Sequence, residues 1–373
     1  MRSIALRHVG LLIVLTGMAV PLDAQQPAQS PAQTTSPPSE QTQRLEGEAI
    51  IALADAALAG KSSPSDFHVQ WDNEFLKAQR GTFVPFTLTL DASRFSRPAV
   101  LVYVRAVRRE PTAAPFRSDR PRSTRIRRDN PIDDDFAVDA IFPAELAVEP
   151  GQIARIRRGV TLVPGSYDVF VVVRERVGNG PDQPKAAVLK HPVSVPDFSA
   201  GGLTTSTVIV ADRLDVLRDP VPPEELAERP YVIGQNDITP AKDRKFRKNE
   251  ELIIVFLVYN PFVTAEKHFD LKVEYHFFRR GGSENRPEQG PTGESGTPPA
   301  REGERYFNHT EPQRFNPGVL GGQFDPTAGN PVMAGQGVPL SGFEHGDYRL
   351  AIRVTDLLAG TSIVRDVHFT VGS

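Results

Sequence analysis

The chain has no cysteine among its 373 residues. That absence excludes disulfides, thiolate catalysis, cysteine-ligated zinc and a lipid anchor at the leader, so burial and hydrogen bonding must hold the folded parts together. A dominant charge is also missing. The formal net charge of −3 leaves no global field to favour nucleic acid or anionic lipid. Beyond Val20 no apolar run is long enough for a transmembrane helix. Helical periodicity is confined to one short segment. What the chain has in quantity is 34 prolines and 29 glycines, set between the apolar runs. That is the composition of a turn-rich all-β protein.

One spelling occurs twice. Residues 164–173 read P-G-S-Y-D-V-F-V-V-V, and residues 345–354 read H-G-D-Y-R-L-A-I-R-V. Gly165, Tyr167, Val169, Val171 and Val173 fall in register with Gly346, Tyr348, Leu350, Ile352 and Val354. A glycine turn, a tyrosine and then apolar residues at every second position spell a strand with one buried face. The two tyrosines are expected to be buried, with their hydroxyls bonded to backbone near the corner. Each copy is followed by another strand, 187–195 and 363–371. The expected fold is all-β: two tandem immunoglobulin-like antiparallel β-sandwich modules with one short N-terminal helix. The alternative is one larger β-structure in which the copies pack together.

The boundaries follow from composition. Arg2 and Arg7, the apolar run 9–20 and Leu22-Asp23-Ala24 read as a signal peptide over 1–24, against a buried N-terminal segment as the alternative. Residues 25–44 read as a disordered linker, and 45–61 as a helix. Ile50, Leu53, Ala54, Ala57 and Leu58 give that helix one apolar face, with Glu46, Glu48 and Asp55 on the surface. Its expected place is against the first module; docking to another protein is the second reading. Module 1 covers 66–197, a connector 198–229, and module 2 covers 230–373, its last strand ending the fold. Pro85 suggests an edge or a bulge. Residues 279–305 read as a mobile loop, and 306–343 as an irregular excursion pinned by Phe307, Phe315, Phe324, Val332 and Leu340.

Residues 339–371, with P-L-S-G-F and G-D-Y-R-L followed by R-D-V-x-F-T-V, carry a resemblance. They resemble the β-rich C-terminal region of bacterial exported proteins that carry von Willebrand A-type or GWxTD domains. Residues 83–91 and 255–260 are similar in style. The resemblance implies an exported, Ig-like, non-catalytic region. The name-giving motifs are absent, and the single tryptophan, Trp71, lies in Gln-Trp-Asp-Asn.

No constellation specifies a reaction. Asp91-Ala-Ser93-Arg-Phe-Ser96 departs from a D-x-S-x-S metal site and reads as a strand-end turn. Asp129, Asp133, Asp134 and Asp135 lack EF-hand spacing and stand beside Arg125, Arg127 and Arg128. His68, His191, His268, His276, His309, His345 and His368 show no zinc-ligand spacing. No catalytic residue, metal or cofactor is therefore expected. The strongest charge run spans Arg105 to Arg128, and Arg117, Arg120, Arg122 and Arg125 are its candidate partner-binding residues. An acidic partner or glycan would use them; a solvated loop is the other reading. With only Phe116 among these arginines, nucleic acid is not expected. The expected function is a non-enzymatic, exported binding or scaffolding protein of the bacterial envelope, periplasmic or secreted, its partner another envelope or exported protein. A carbohydrate-binding sandwich using Phe307, Phe315 and Phe324 is one alternative. An enzyme with a dispersed site is another.

Overall fold

The structure, a computed structural model, describes residues 39–109, 136–149, 152–178, 183–222, 225–281, 297–321 and 324–372. It is mostly β, built from antiparallel sheets with a short N-terminal helix. That helix, α1, covers Glu40–Leu58 and so takes the last residues of the expected linker.

The first sandwich uses β1 (Val69–Asn73), β2 (Leu76–Lys77), β3 (Thr82–Asp91), β4 (Ala99–Arg108), β5 (Phe136–Glu145), β6 (Val148–Glu149), β7 (Ile153–Leu162), β8 (Gly165–Glu175) and β9 (Ala186–Val195). One sheet runs β1-β3-β7-β6, with β2 also on β3; the other runs β5-β4-β8-β9. Alternate residues of both sheets meet in one core that holds Trp71, Phe86, Leu88, Val102, Tyr167 and Val171. The outer face of β4 and β8 is covered by α1, whose Ile50 and Ala54 pack on Leu101, Tyr103 and Val172. Glu46 does not lie on the surface as its helical position suggests. It is 2% exposed and accepts hydrogen bonds from Arg176 at 2.7 Å and from the Val177 N–H at 2.6 Å. A buried carboxylate requires such donors.

The second sandwich uses β10 (Thr204–Thr205), β11 (Ile209–Val216), β12 (Val232–Ile233), β13 (Asn236–Pro240), β14 (Lys245–Arg247), β15 (Glu251–Tyr259), β16 (Leu271–Arg280), β17 (Glu304–His309), β18 (Gln313–Phe315), β19 (Val332–Pro339), β20 (Gly346–Asp356) and β21 (Thr361–Gly372). One sheet runs β10-β15-β11-β13-β12, with β19 on the other side of β15. The other runs β14-β21-β20-β16-β17, with β18 also on β16. Pairing is antiparallel throughout except for β14 on β21. The stretch 198–229 is therefore more than a connector, because β10 and β11 are strands of this sandwich. The excursion 306–343 hides a full strand, β19, paired with β15 along its whole length. Its glycines are the reason that strand is hard to read. A Cβ at Gly335 would stand 2.8 Å from the Ile254 carbonyl oxygen, so close sheet packing rather than a turn explains the residue. Phe307, Phe315 and Phe324 pack against the core, as pins.

Part of the expected mobile loop, 282–296, lies outside the described residues. The remainder is tied down. Glu304 and Arg349 are both buried, and Arg349 donates to Glu304 at 2.6 Å, to Asp366 at 2.9 Å and to the Pro299 carbonyl at 3.1 Å. Burial works against the Glu304 carboxylate, but its bonds from Arg349 hold it below the usual carboxylate range.

Both sandwiches share one corner. Tyr167 and Tyr348 are fully buried; their hydroxyls donate to the carbonyls of Val163 at 2.9 Å and Glu344 at 2.8 Å, each four residues upstream. This is a tyrosine corner at the entry of a central strand. Opposite each tyrosine, on the neighbouring strand, stands an arginine: Arg108 faces Tyr167, and Arg279 faces Tyr348. Each arginine donates to the carbonyl before the turn glycine, Pro164 at 2.6 Å and His345 at 2.8 Å. Gly165 and Gly346 have φ of 149° and 146°, and a Cβ there would meet the guanidinium at 3.0 and 3.2 Å. Glycine is thus set twice over, by backbone conformation and by the arginine beside it.

Tyr348→Ala is expected to destabilise the protein by about 3–5 kcal/mol through the cavity it leaves. Tyr348→Phe, which removes only the hydroxyl bond, is expected to lose about 1 kcal/mol. Chemical denaturation of both variants checks the ranking. An unchanged midpoint for Tyr348→Ala would exclude a core role.

Candidate functional site

The strongest candidate lies where the two sandwiches meet. It begins with a proline. β3 is an interior strand, so Pro85 sits neither at an edge nor at a bulge. Register places Glu74 opposite Pro85, between the pairs Asn73–Phe86 and Leu76–Phe83. The Glu74 N–H donates to the Pro85 carbonyl at 2.9 Å, and proline has no N–H to return the bond. The ladder breaks there and separates β1 from β2.

At the break, Phe75 turns its backbone toward the second sandwich. Its N–H donates to Thr207 Oγ1 at 2.9 Å, and its carbonyl accepts from the Thr207 N–H at 3.1 Å. Thr207 is presented by a matching interruption between β10 and β11. Ser206 Oγ accepts from the Leu257 N–H at 2.9 Å and donates to the Thr207 carbonyl at 2.8 Å, standing in for a regular ladder bond. Leu76, Phe198, Leu257 and Tyr259 form a small apolar core at this seam. The Tyr259 hydroxyl accepts from the Lys77 N–H at 3.0 Å, and the Thr87 and Tyr231 hydroxyls lie 3.2 Å apart.

A cleft of about 350 Å³ opens beside the seam. Phe75, Phe198, Thr205, Thr207, Arg244 and Arg365 are among its walls. Arg365 Nε donates to Thr205 Oγ1 at 2.9 Å, which holds its guanidinium against the β10 edge. Asp197 and Asp366 also line the cleft, but both already accept hydrogen bonds: Asp197 from the Ser199 N–H at 2.7 Å, and Asp366 from Arg349 and Arg301. The two arginines are therefore the wall groups suited to meet an anion, with threonine hydroxyls beside them. β10 is an edge strand, the element on which an extended segment can dock.

Glu74 stands at the same seam. Burial pushes its carboxyl up to about 7; Arg244 opposes this, Asp72 reinforces it, and the Thr207 hydrogen bond opposes it. Its proton is thus exchanged near neutrality, within the contact that joins the sandwiches.

The sequence-derived candidates Arg117, Arg120, Arg122 and Arg125 lie outside the described residues, as do Asp129 and Asp133–135. Three earlier members of the same arginine run have structural posts. Arg105 is 3% exposed, pairs with Asp55 and Asp139, and stacks on Phe136 at 4.1 Å. Arg108 holds the tyrosine corner. Arg109 pairs with Asp168 at 2.6 Å. Asp91 accepts from Ser93 N–H and Oγ, the strand-end turn expected of it. Arg244, Arg365 and Glu74 carry no motif. The one local signal is the polar run Thr204-Thr-Ser-Thr207 inside an apolar strand pattern.

No family model matches this chain, and no curated protein does. Among solved structures it is similar to an alpha-2-macroglobulin from Salmonella reacted with methylamine, at 12% identity and a TM-score of 0.19, over 84% of this chain and 17% of that one. It is likewise similar to the native conformation of the E. coli alpha-2-macroglobulin, at 9% identity and a TM-score of 0.20, over 83% of this chain and 15% of that one. The chain thus spans a small fraction of those proteins' length, and a likeness at these TM-scores carries no argument about function.

Glu74 predicts a pH dependence with a definite sign. Its folded-state pKa lies above the ordinary value, so the folded state holds the proton more tightly. Its contribution is most favourable below about pH 4.5 and is lost as pH rises toward about 7, by up to roughly 3 kcal/mol. Glu74→Gln is expected to match wild type near about pH 4 and to exceed it near about pH 8. Denaturation midpoints at the two pH values check this. Equal midpoints for both proteins at both values would remove Glu74 from the seam's energetics.

Proposed function

We propose that this is an exported, non-enzymatic binding or scaffolding protein of the cell envelope, and that its recognition surface is the cleft between the sandwiches. The observation that carries the reading is the pair Arg244 and Arg365 on the walls of a cleft bordered by the β10 edge. A cleft of this kind fits an extended polypeptide segment bearing a carboxylate: backbone groups pair with the edge, and the side chain meets a guanidinium. Export rests on the basic start, the apolar run and the small-residue site of residues 1–24. No helix among the described residues is long and apolar enough to cross a membrane. The carbohydrate reading loses its candidates, because Phe307, Phe315 and Phe324 pack against the second core instead of offering a platform.

The test compares wild type with the double variant Arg244→Ser/Arg365→Ser, each immobilised and challenged with an envelope extract. Wild type is expected to retain a protein partner in low salt and to release it as salt screens the exposed charges. The double variant is expected to retain much less of it, with an unchanged circular dichroism spectrum. The same partners held by both proteins, at low and at high salt, would overturn the cleft as the recognition surface.

A further inference from the structure

The histidines, unremarkable by spacing, are brought together by topology. His276 on β16 and His309 on β17 are directly opposed residues of an antiparallel pair. Their ring centres are 6.3 Å apart, with the planes inclined by 31°. His276 is 7% exposed, and neither of its ring nitrogens has a hydrogen-bond partner among the described residues. A buried imidazole normally has at least one such partner, so a doubly unpartnered ring needs a reason. His309 is solvent-facing, and its Nδ1 lies 2.9 Å from the Tyr306 hydroxyl.

We propose that His276 and His309 form a two-histidine site for a borderline-soft divalent cation of the zinc, nickel or copper class. Two imidazoles on one tetrahedral ion, each with a metal–nitrogen bond of about 2.0–2.1 Å, have ring centres about 5 Å apart. The observed separation exceeds this by little more than 1 Å. Rotation of the exposed His309 side chain closes that gap without moving the sheet. With the ion on His309 Nε2, Nδ1 carries its proton and donates to the Tyr306 hydroxyl. That outer hydrogen bond orients the ligating ring. Among the described residues no group of three histidine, aspartate or glutamate side chains is spaced to hold a metal. The two imidazoles are therefore the described protein donors, and water completes the coordination.

The surroundings select the class of ion. Glu274 is 7% exposed and pairs with Lys272 at 3.0 Å; Arg353 stands opposite Glu274 on β20. One carboxylate among two cations gives no net negative field. A hard ion such as calcium or magnesium, bound through charge and oxygen, finds nothing here. An ion bound through neutral nitrogen does not need that field. Desolvation, opposed by Glu274, pushes His276 down to about 4, so its ring is neutral and ready to donate at physiological pH. The matching position of the first sandwich differs. Arg105 stands three residues before Arg108, as His276 stands before Arg279, and there α1 supplies Asp55 to the buried side chain.

Isothermal titration of the full chain with zinc chloride tests the site. One equivalent bound in the micromolar range is expected, with no heat from magnesium or calcium chloride. His309→Ala, an exposed change that leaves the fold intact by circular dichroism, is expected to weaken zinc binding about tenfold or more. Tyr306→Phe, as a positioning change, is expected to weaken it less. Histidine-ring ¹⁵N shifts read ligation directly: zinc should move the resonances of the two rings that His276→Gln and His309→Ala delete. Zinc affinity unchanged by His309→Ala, ring shifts confined to other histidines, or no binding at millimolar zinc would each overturn the proposal.

Discussion

Each sandwich depends on a corner made by three residues. A tyrosine at the start of a central strand fills the core and reaches back to a carbonyl four residues upstream. An arginine from the strand alongside closes the carbonyl before the turn glycine. The glycine gives way to the arginine, because any side chain there would meet the guanidinium. The arrangement fixes the angle at which the strand enters the core. That angle sets which residues face inward along β8 and β20, since one residue of slip would turn every side chain to the other face. In a chain without disulfides, this local fixing replaces a covalent tie.

The corner lies at one level of the structure and the seam at another. The seam is built from two interruptions of regular pairing that answer each other. Pro85 cannot return a bond to Glu74, and Ser206 replaces a backbone partner with its hydroxyl. The backbone of Phe75 and Thr207, freed from its own sheets, pairs across the junction. Sandwich-to-sandwich contact therefore rests on directed hydrogen bonds around a small apolar patch. Such a seam holds a defined geometry while burying less apolar area than either core. Burial raises the Glu74 carboxyl inside it to about 7, which couples this junction to pH near neutrality.

What the sequence revealed follows the range over which each signal acts. β15 is legible from its own residues, as a near-continuous apolar run, and β8 and β20 from alternation behind a glycine. The buried corner tyrosines follow from the same pattern. β19 was not legible because Gly335 and Gly337 carry no apolar signal; their use is to let β15 approach. A strand over 204–210 is legible within the connector, but its place in the second sandwich is not, because the polar run Thr204–Thr207 masks the pairing of β10 and β11 with β15. The corner arginines, the cleft arginines and the histidine pair are all cross-strand relations between distant segments. No spacing along the chain encodes them. The arginine run drew notice by density, yet its described members Arg105, Arg108 and Arg109 serve the fold.

The repeat also separates what is shared from what is individual. Counted from the corner, Arg105 and His276 occupy one position on the outer face of equivalent strands. In the first sandwich that face is closed by α1, and the buried arginine receives a carboxylate from the helix. In the second, long side chains crowd the face and a neutral imidazole takes the place of the cation. Both frames share what each needs to enter its core, here the glycine, the tyrosine and the arginine. At the outer-face position an arginine paired with Asp55 is replaced by an imidazole whose ring nitrogens have no described partner, and this departure from the shared frame is the observation on which the proposed cation site rests.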